Sequence, residues 1–98
     1  MATVSLSPLC LKDLEGIFEF IAQSDPQGAI STVGRIREAV EILKGHPLIG
    51  RKVESGYREL VISRGQYGYV ALYRWHEEFD DRLVLSIKHQ REAGYGGE

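Results

Sequence analysis

Apolar residues recur at helical spacing along the first half of the chain and at alternate positions along the second. Leu11, Leu14, Ile17, Phe18, Ile21 and Ala22 follow one stripe of a 3.6-residue period, with Lys12, Asp13, Glu15 and Glu19 off it. Ser7-Pro8 precedes them, a capping serine followed by a proline suited to the first turn, so the spacing predicts a helix from 8 to about 23. Asp25-Pro26 repeats that signal. A second apolar seam follows at Ala29, Val33, Ile36, Val40 and Leu43, and Gly45 and Pro47 close it. Two helices joined by so short a turn form an antiparallel hairpin.

The period then changes to two. After a predicted loop over 44–56 come three strand signals, at 57–63, 67–75 and 82–89. Arg64-Gly65-Gln66 forms a tight hairpin turn between the first two, and 76–81 is an acidic turn between the last two. Residues 2–7, with Val4 and Leu6 on one side, add a strand at the start. The predicted order is βααβββ in one domain spanning 1–98, an α+β fold with the N-terminal helix hairpin packed on an antiparallel sheet. Residues 93–98, with three glycines, are expected to form a mobile tail. The expected core is Leu14, Ile17, Ile21, Val33, Ile36, Val40, Leu60, Ile62, Val70, Leu72 and Leu85. Alternation sends Leu60, Ile62, Val70 and Leu72 toward the helices and leaves the Tyr67, Tyr69, Tyr73, Trp75 row on the other face. That row either stacks bases or anchors a peptide, or forms a second layer of core.

Composition narrows the chemistry. In 98 residues the net charge is −2, which argues against affinity driven by phosphate contacts. The distribution is uneven: Arg51, Lys52, Arg58, Arg64 and Arg74 face only Glu54 and Glu59 across 51–76, and Glu77, Glu78, Asp80 and Asp81 follow at once. The single cysteine, Cys10, makes no internal disulfide and reads as a small buried hydrophobe in a reducing, cytoplasmic setting. No apolar run reaches the ~18 residues of a membrane span. His46, His76 and His89 lack metal-ligand spacing, and neither a nucleophile elbow nor a phosphate loop is present, so no metal, cofactor or catalytic nucleophile is expected. What remains is a set at the start of the central strands and the end of the last: Arg51, Arg58, Glu59, Tyr73, His89, Arg91 and Tyr95. These are expected to converge near one end of the sheet, where arginine and tyrosine contact carboxylates or phosphates. Arg58 and Glu59 are alternatively an internal ion pair that holds the strand.

The stretches DLEGIFEFIAQSDP, HPLIGR, YREL, GYVALYR and IKHQRE, in that order from about residue 3 to residue 92, resemble the RelE/ParE superfamily of bacterial toxins, the ParE branch most closely. The resemblance implies a toxin–antitoxin module, with the toxin held inactive by a cognate antitoxin whose C-terminal segment wraps it. ParE-like members poison DNA gyrase, whereas RelE-like members cut messenger RNA on the ribosome. The RelE catalytic set is matched only in part: Arg91 and Tyr95 stand near its arginine and tyrosine at different spacing, Arg64 near a basic position, and Glu59 where a base is wanted. Fewer cations would stabilise a developing phosphorane less well. The resemblance therefore implies a gyrase-inhibiting toxin. The alternatives are a ribosome-dependent messenger endonuclease using Arg91, Tyr95 and Arg64, and a decayed toxin that only binds its antitoxin.

Overall fold

The computed structural model describes residues 1–63 and 68–90. The expected turn at Arg64-Gly65-Gln66, Tyr67, Arg91, Tyr95 and the tail lie outside the described residues. Within them the chain runs β1 (Thr3–Leu6), α1 (Pro8–Ala22), α2 (Pro26–Glu41), β2 (Arg51–Lys52), β3 (Arg58–Val61), β4 (Tyr69–His76) and β5 (Asp81–His89), with 3₁₀ turns at Ile42–Lys44 after α2, at Glu54–Gly56 before β3 and at Glu77–Phe79 before β5. Both predicted caps form. The Ser7 hydroxyl accepts from the Cys10 amide at 3.0 Å, and the Asp25 carboxylate accepts from the Gly28 amide at 3.0 Å. Each satisfies an amide that the first turn of a helix leaves without a partner.

The sheet order is β1-β5-β4-β3-β2. The three predicted strands pair antiparallel, as expected. The sheet as a whole is mixed, which corrects the antiparallel expectation: β1 runs parallel to β5, with Thr3 beside Asp81 and Leu6 beside Val84. Thr3 Oγ1 and Ser5 Oγ both donate to the Asp81 carboxylate, at 2.7 and 2.8 Å, which pins this register. Part of the acidic run is thus structural. The predicted loop also contains a strand, β2, whose two residues pair with Glu59 and Arg58. Two residues are too few to leave a period in the sequence.

The face assignment of β4 is the main correction. Leu60 pairs with Ala71 and Arg58 with Tyr73, so Tyr69, Ala71 and Tyr73 join Leu60 and Ile62 on the helix side. Val70 is buried and Leu72 half-buried, both on the opposite face. Alternation within a strand defines two faces but not which one meets the helices, and the pairing register decides that. A bulge adds a second effect: Leu72 faces Ser86 while Tyr73 faces Val84, so Leu85 is the extra residue. The bulge turns both Ile87 and Val84 into the core and leaves Leu85 half-buried.

The core is Cys10, Leu14, Ile36, Val40, Leu43, Ala71, Tyr73, Val84 and Ile87. The α2 seam is as predicted. The α1 stripe is rotated: it centres on Cys10, Leu14, Ile17 and Ile21, and Leu11 and Phe18 are exposed. Beyond Val84, α1 replaces β1 along the edge of β5. Ser7 Oγ donates to the Leu85 carbonyl at 2.7 Å, and the Asp13 carboxylate accepts from the Ile87 amide at 3.0 Å and from Lys88 Nζ at 3.3 Å. These bonds satisfy strand groups that would otherwise be open.

Burial raises the Cys10 thiol from 9.0 to about 11, with Asp13 adding to the shift and Arg37 opposing it. The raised value favours the protonated, folded form. Stability from this group is complete below about pH 9 and is lost as pH rises toward 11, because the unfolded chain gives up its proton first. Urea unfolding at stepped pH is expected to show this decline, and Cys10→Ala is expected to reduce its slope. Alkylation of Cys10 in the native protein at pH 7 should be slow until denaturant is added.

Candidate functional site

The described members of the predicted set, Arg51, Arg58, Glu59, Tyr73 and His89, do not converge on one site. Arg58 and Tyr73 form one group on the helix side of the sheet. The Tyr73 hydroxyl, fully buried, donates to the Pro47 carbonyl at 2.8 Å and accepts from the Gly50 amide at 2.9 Å. Burial pushes this phenol above its ordinary value, against the lowering effects of the Gly50 bond and the Arg58 charge. Arg58 Nη1 donates to the carbonyls of Gly50 and Leu48, at 2.8 and 3.3 Å. Both residues hold the 47–50 loop. Gly50 fits there because a Cβ would stand 2.7 Å from the Glu59 carbonyl and from the Tyr73 ring.

Glu59 lies on the other face, where its carboxylate meets Arg51 Nε at 3.1 Å. The anticipated Arg58–Glu59 pair is therefore replaced by Arg51–Glu59. Adjacent strand residues point to opposite faces, so neighbours in sequence cannot share a site here. His89 stands at the far end of the sheet, paired with Tyr69. Tyr69 is four residues from Tyr73, about 13 Å along β4. Arg64, Arg91 and Tyr95 lie outside the described residues.

At the His89 end the helix hairpin and the sheet diverge around two adjoining depressions of about 880 and 630 Å³, both lined by Phe20, Tyr69 and His89. Tyr69 and His89 meet edge to face with centroids 5.6 Å apart. Phe20 is 76% exposed on α1. Ile17 and Ile87 supply apolar wall on one side, and Ile21 and the α2 residues Thr32 and Arg35 line the other. Lys12 and Lys88 also line the 630 Å³ depression. Asp13 and Asp25, the acids present, are already engaged with Ile87, Lys88 and the α2 cap. The basin is apolar and aromatic with cations at its rim, the usual make-up of a site for a peptide bearing apolar side chains and carboxylates.

Phe20 and Arg35 were not singled out from the sequence. The signal for Phe20 was its position, a large aromatic off the stripe that packs α1 on the sheet. The buried Arg82 was also missed. It is 4% exposed, donates from Nε to the Leu43 carbonyl at 2.8 Å and pairs through Nη1 with Asp80. That hydrogen bond is the main reason the Asp80 carboxyl sits below its usual range, and the Trp75 indole N–H adds to it at 3.3 Å. Arg82 anchors the acidic turn to the end of α2 and is committed there.

Two helices on one face of a five-stranded mixed sheet are the fold of the small bacterial toxins that the sequence resembled. The chain belongs to the family described as the ParE toxin of the type II toxin–antitoxin system parDE, whose model matches residues 4–94. It is 30% identical over 92 residues to Toxin RelE3 of Caulobacter vibrioides, covering 94% of this chain and 98% of that one. The fold is similar to that in the chromosomal ParDE system of P. aeruginosa, with a TM-score of 0.78 at 22% identity over 91% of this chain and 96% of the other. It is also similar to a mutant of E. coli toxin RelE in the free state, with a TM-score of 0.67 at 15% identity over 100% and 94% of the two chains. No helix among the described residues is long and apolar enough to cross a membrane.

Proposed function

We propose that the protein arrests growth by inhibiting DNA gyrase through protein contact, and that a cognate antitoxin neutralises it by laying an apolar, acidic segment in the Phe20–Tyr69–His89 basin. The observation that carries the gyrase reading is the match to the ParE family over residues 4–94. The Tyr73 hydroxyl is buried between Pro47 and Gly50, Arg58 is spent on backbone carbonyls, and Glu59 is paired with Arg51. These described candidates serve the fold, while Arg91, Tyr95 and Arg64, the residues of the messenger-cleaving alternative, lie outside the described residues.

A second reading, ribosome-dependent messenger cleavage with Arg91, Tyr95 and Arg64 as working residues, is favoured by the likeness to a toxin named RelE3. Two assays on antitoxin-free protein separate the two. Gyrase inhibition predicts loss of supercoiling and trapped DNA cleavage, with intact messenger. Normal supercoiling with codon-phased cuts on translating ribosomes would replace it with the second reading.

A further inference from the structure

The loop that Tyr73 and Arg58 hold has an unusual surface. Its backbone is tied from inside at Pro47, Leu48 and Gly50, and the Ile49 amide donates to the His46 carbonyl at 3.2 Å. Yet Leu48 and Ile49, at its tip, are 56% and 53% exposed. Loop tips ordinarily carry polar residues, and nothing in the packing of this loop needs two aliphatic side chains in water. Immobilising an apolar pair in advance removes an ordering cost from a later association.

Beside Leu48 lies a slot of about 370 Å³, walled by Val53, Tyr57 and Trp75 with Lys52, Arg58 and Glu77 also lining it. It is large enough for one bulky side chain. The chain turns at its wall through two consecutive left-handed residues, Ser55 at φ 63° and Gly56 at φ 80°. A non-glycine residue in that region is strained, and such strain gathers at ligand clamps. Arg74 stacks over Tyr57 with its guanidinium 5.6 Å from the ring centroid. Of the charged residues lining the slot, Lys52 and Arg58 outnumber Glu77; Arg74, over Tyr57, and Glu54, next to Val53 in the chain, flank it.

We infer that the Leu48–Ile49 tip and the adjoining slot are the surface that docks the toxin's target, a protein whose contact segment places an apolar or aromatic side chain in the slot and a carboxylate against Lys52. Identifying that target as gyrase rests on the reading above. The aliphatic tip and the two nearby acids disfavour a phosphate backbone. The surface is at the opposite end of the sheet from the basin assigned to the antitoxin, so the two contacts are separable by mutation.

The test uses the full chain with Leu48→Asp and Ile49→Asp combined, and Lys52→Glu as an independent variant that leaves the loop alone. Growth arrest is titrated by induction, antitoxin affinity by calorimetry, and gyrase supercoiling in vitro. The double variant is expected to weaken growth arrest and gyrase inhibition by roughly 30-fold or more, the loss typical of removing central anchors. Lys52→Glu should weaken both by less, and antitoxin affinity and melting temperature should stay unchanged in each. Full growth arrest by both variants, an inert wild-type protein, or a matching loss of antitoxin affinity would overturn the inference. A wild-type protein that arrests growth without touching gyrase would sink the gyrase reading alone, and growth arrest by the variants would still decide the docking surface.

Discussion

Tyr73→Ala is expected to destabilise the protein by about 3–5 kcal/mol, the range for truncating a large buried aromatic. Tyr73 is the largest fully buried side chain among the described residues, at the centre of the sheet face that meets the helices. Its loss opens a cavity and also strands two backbone groups, the Gly50 amide and the Pro47 carbonyl, that the hydroxyl satisfies. Tyr73→Phe separates these effects. It keeps the ring and leaves the Gly50 amide unpaired at a buried position, for an expected cost of about 1–3 kcal/mol. A domain of this size holds only about 5–15 kcal/mol of stability in all, so the alanine variant should be marginal at growth temperature. Urea unfolding monitored by circular dichroism checks both, with the midpoint falling and the slope unchanged. A phenylalanine variant as stable as wild type would show that water replaces the hydroxyl and that the loop is not held by it.

Phe20→Glu is expected to lower antitoxin affinity by roughly 100-fold or more while leaving the fold intact. Phe20 lines both halves of the basin and is 76% exposed, so a polar replacement there has little core to disturb. An aromatic anchor at the centre of an apolar site is the sort of residue that dominates an interface, and a carboxylate there also repels an acidic segment. Calorimetry against the purified antitoxin measures the change, and thermal melting of the free variant checks the fold. A free variant that melts like wild type and binds with unaltered affinity would move the antitoxin to another surface. A smaller effect from Phe20→Ala would divide the loss between removed contact and added charge.

The candidate site was legible in its residue types and not in its arrangement. Arg51, Arg58, Glu59, Tyr73 and His89 were all marked by chemistry, yet Arg58 and Glu59 point to opposite faces, and His89 lies a strand's length away. The basin itself was not legible, because Phe20, Tyr69 and His89 come from three elements that only packing brings together. Arg82 gave no warning either: a strand arginine followed by Leu83 looks exposed until the end of α2 supplies a carbonyl for it.

Local periodicity and capping chemistry determined the helix hairpin, since both depend on residues a few positions apart. Ser7-Pro8 and Asp25-Pro26 set the helix starts, and the seam from Ala29 to Leu43 named the face of α2 that packs. The three antiparallel strands followed from alternation. Only the tertiary structure decided the rest. The parallel seat of β1 depends on Asp81 receiving Thr3 and Ser5 from more than seventy residues away. The inward face of β4 depends on a register that pairs Leu60 with Ala71, and the inward turn of Val84 and Ile87 on a bulge at Leu85. Registers and bulges are properties of two strands at once, so no pattern along one strand contains them.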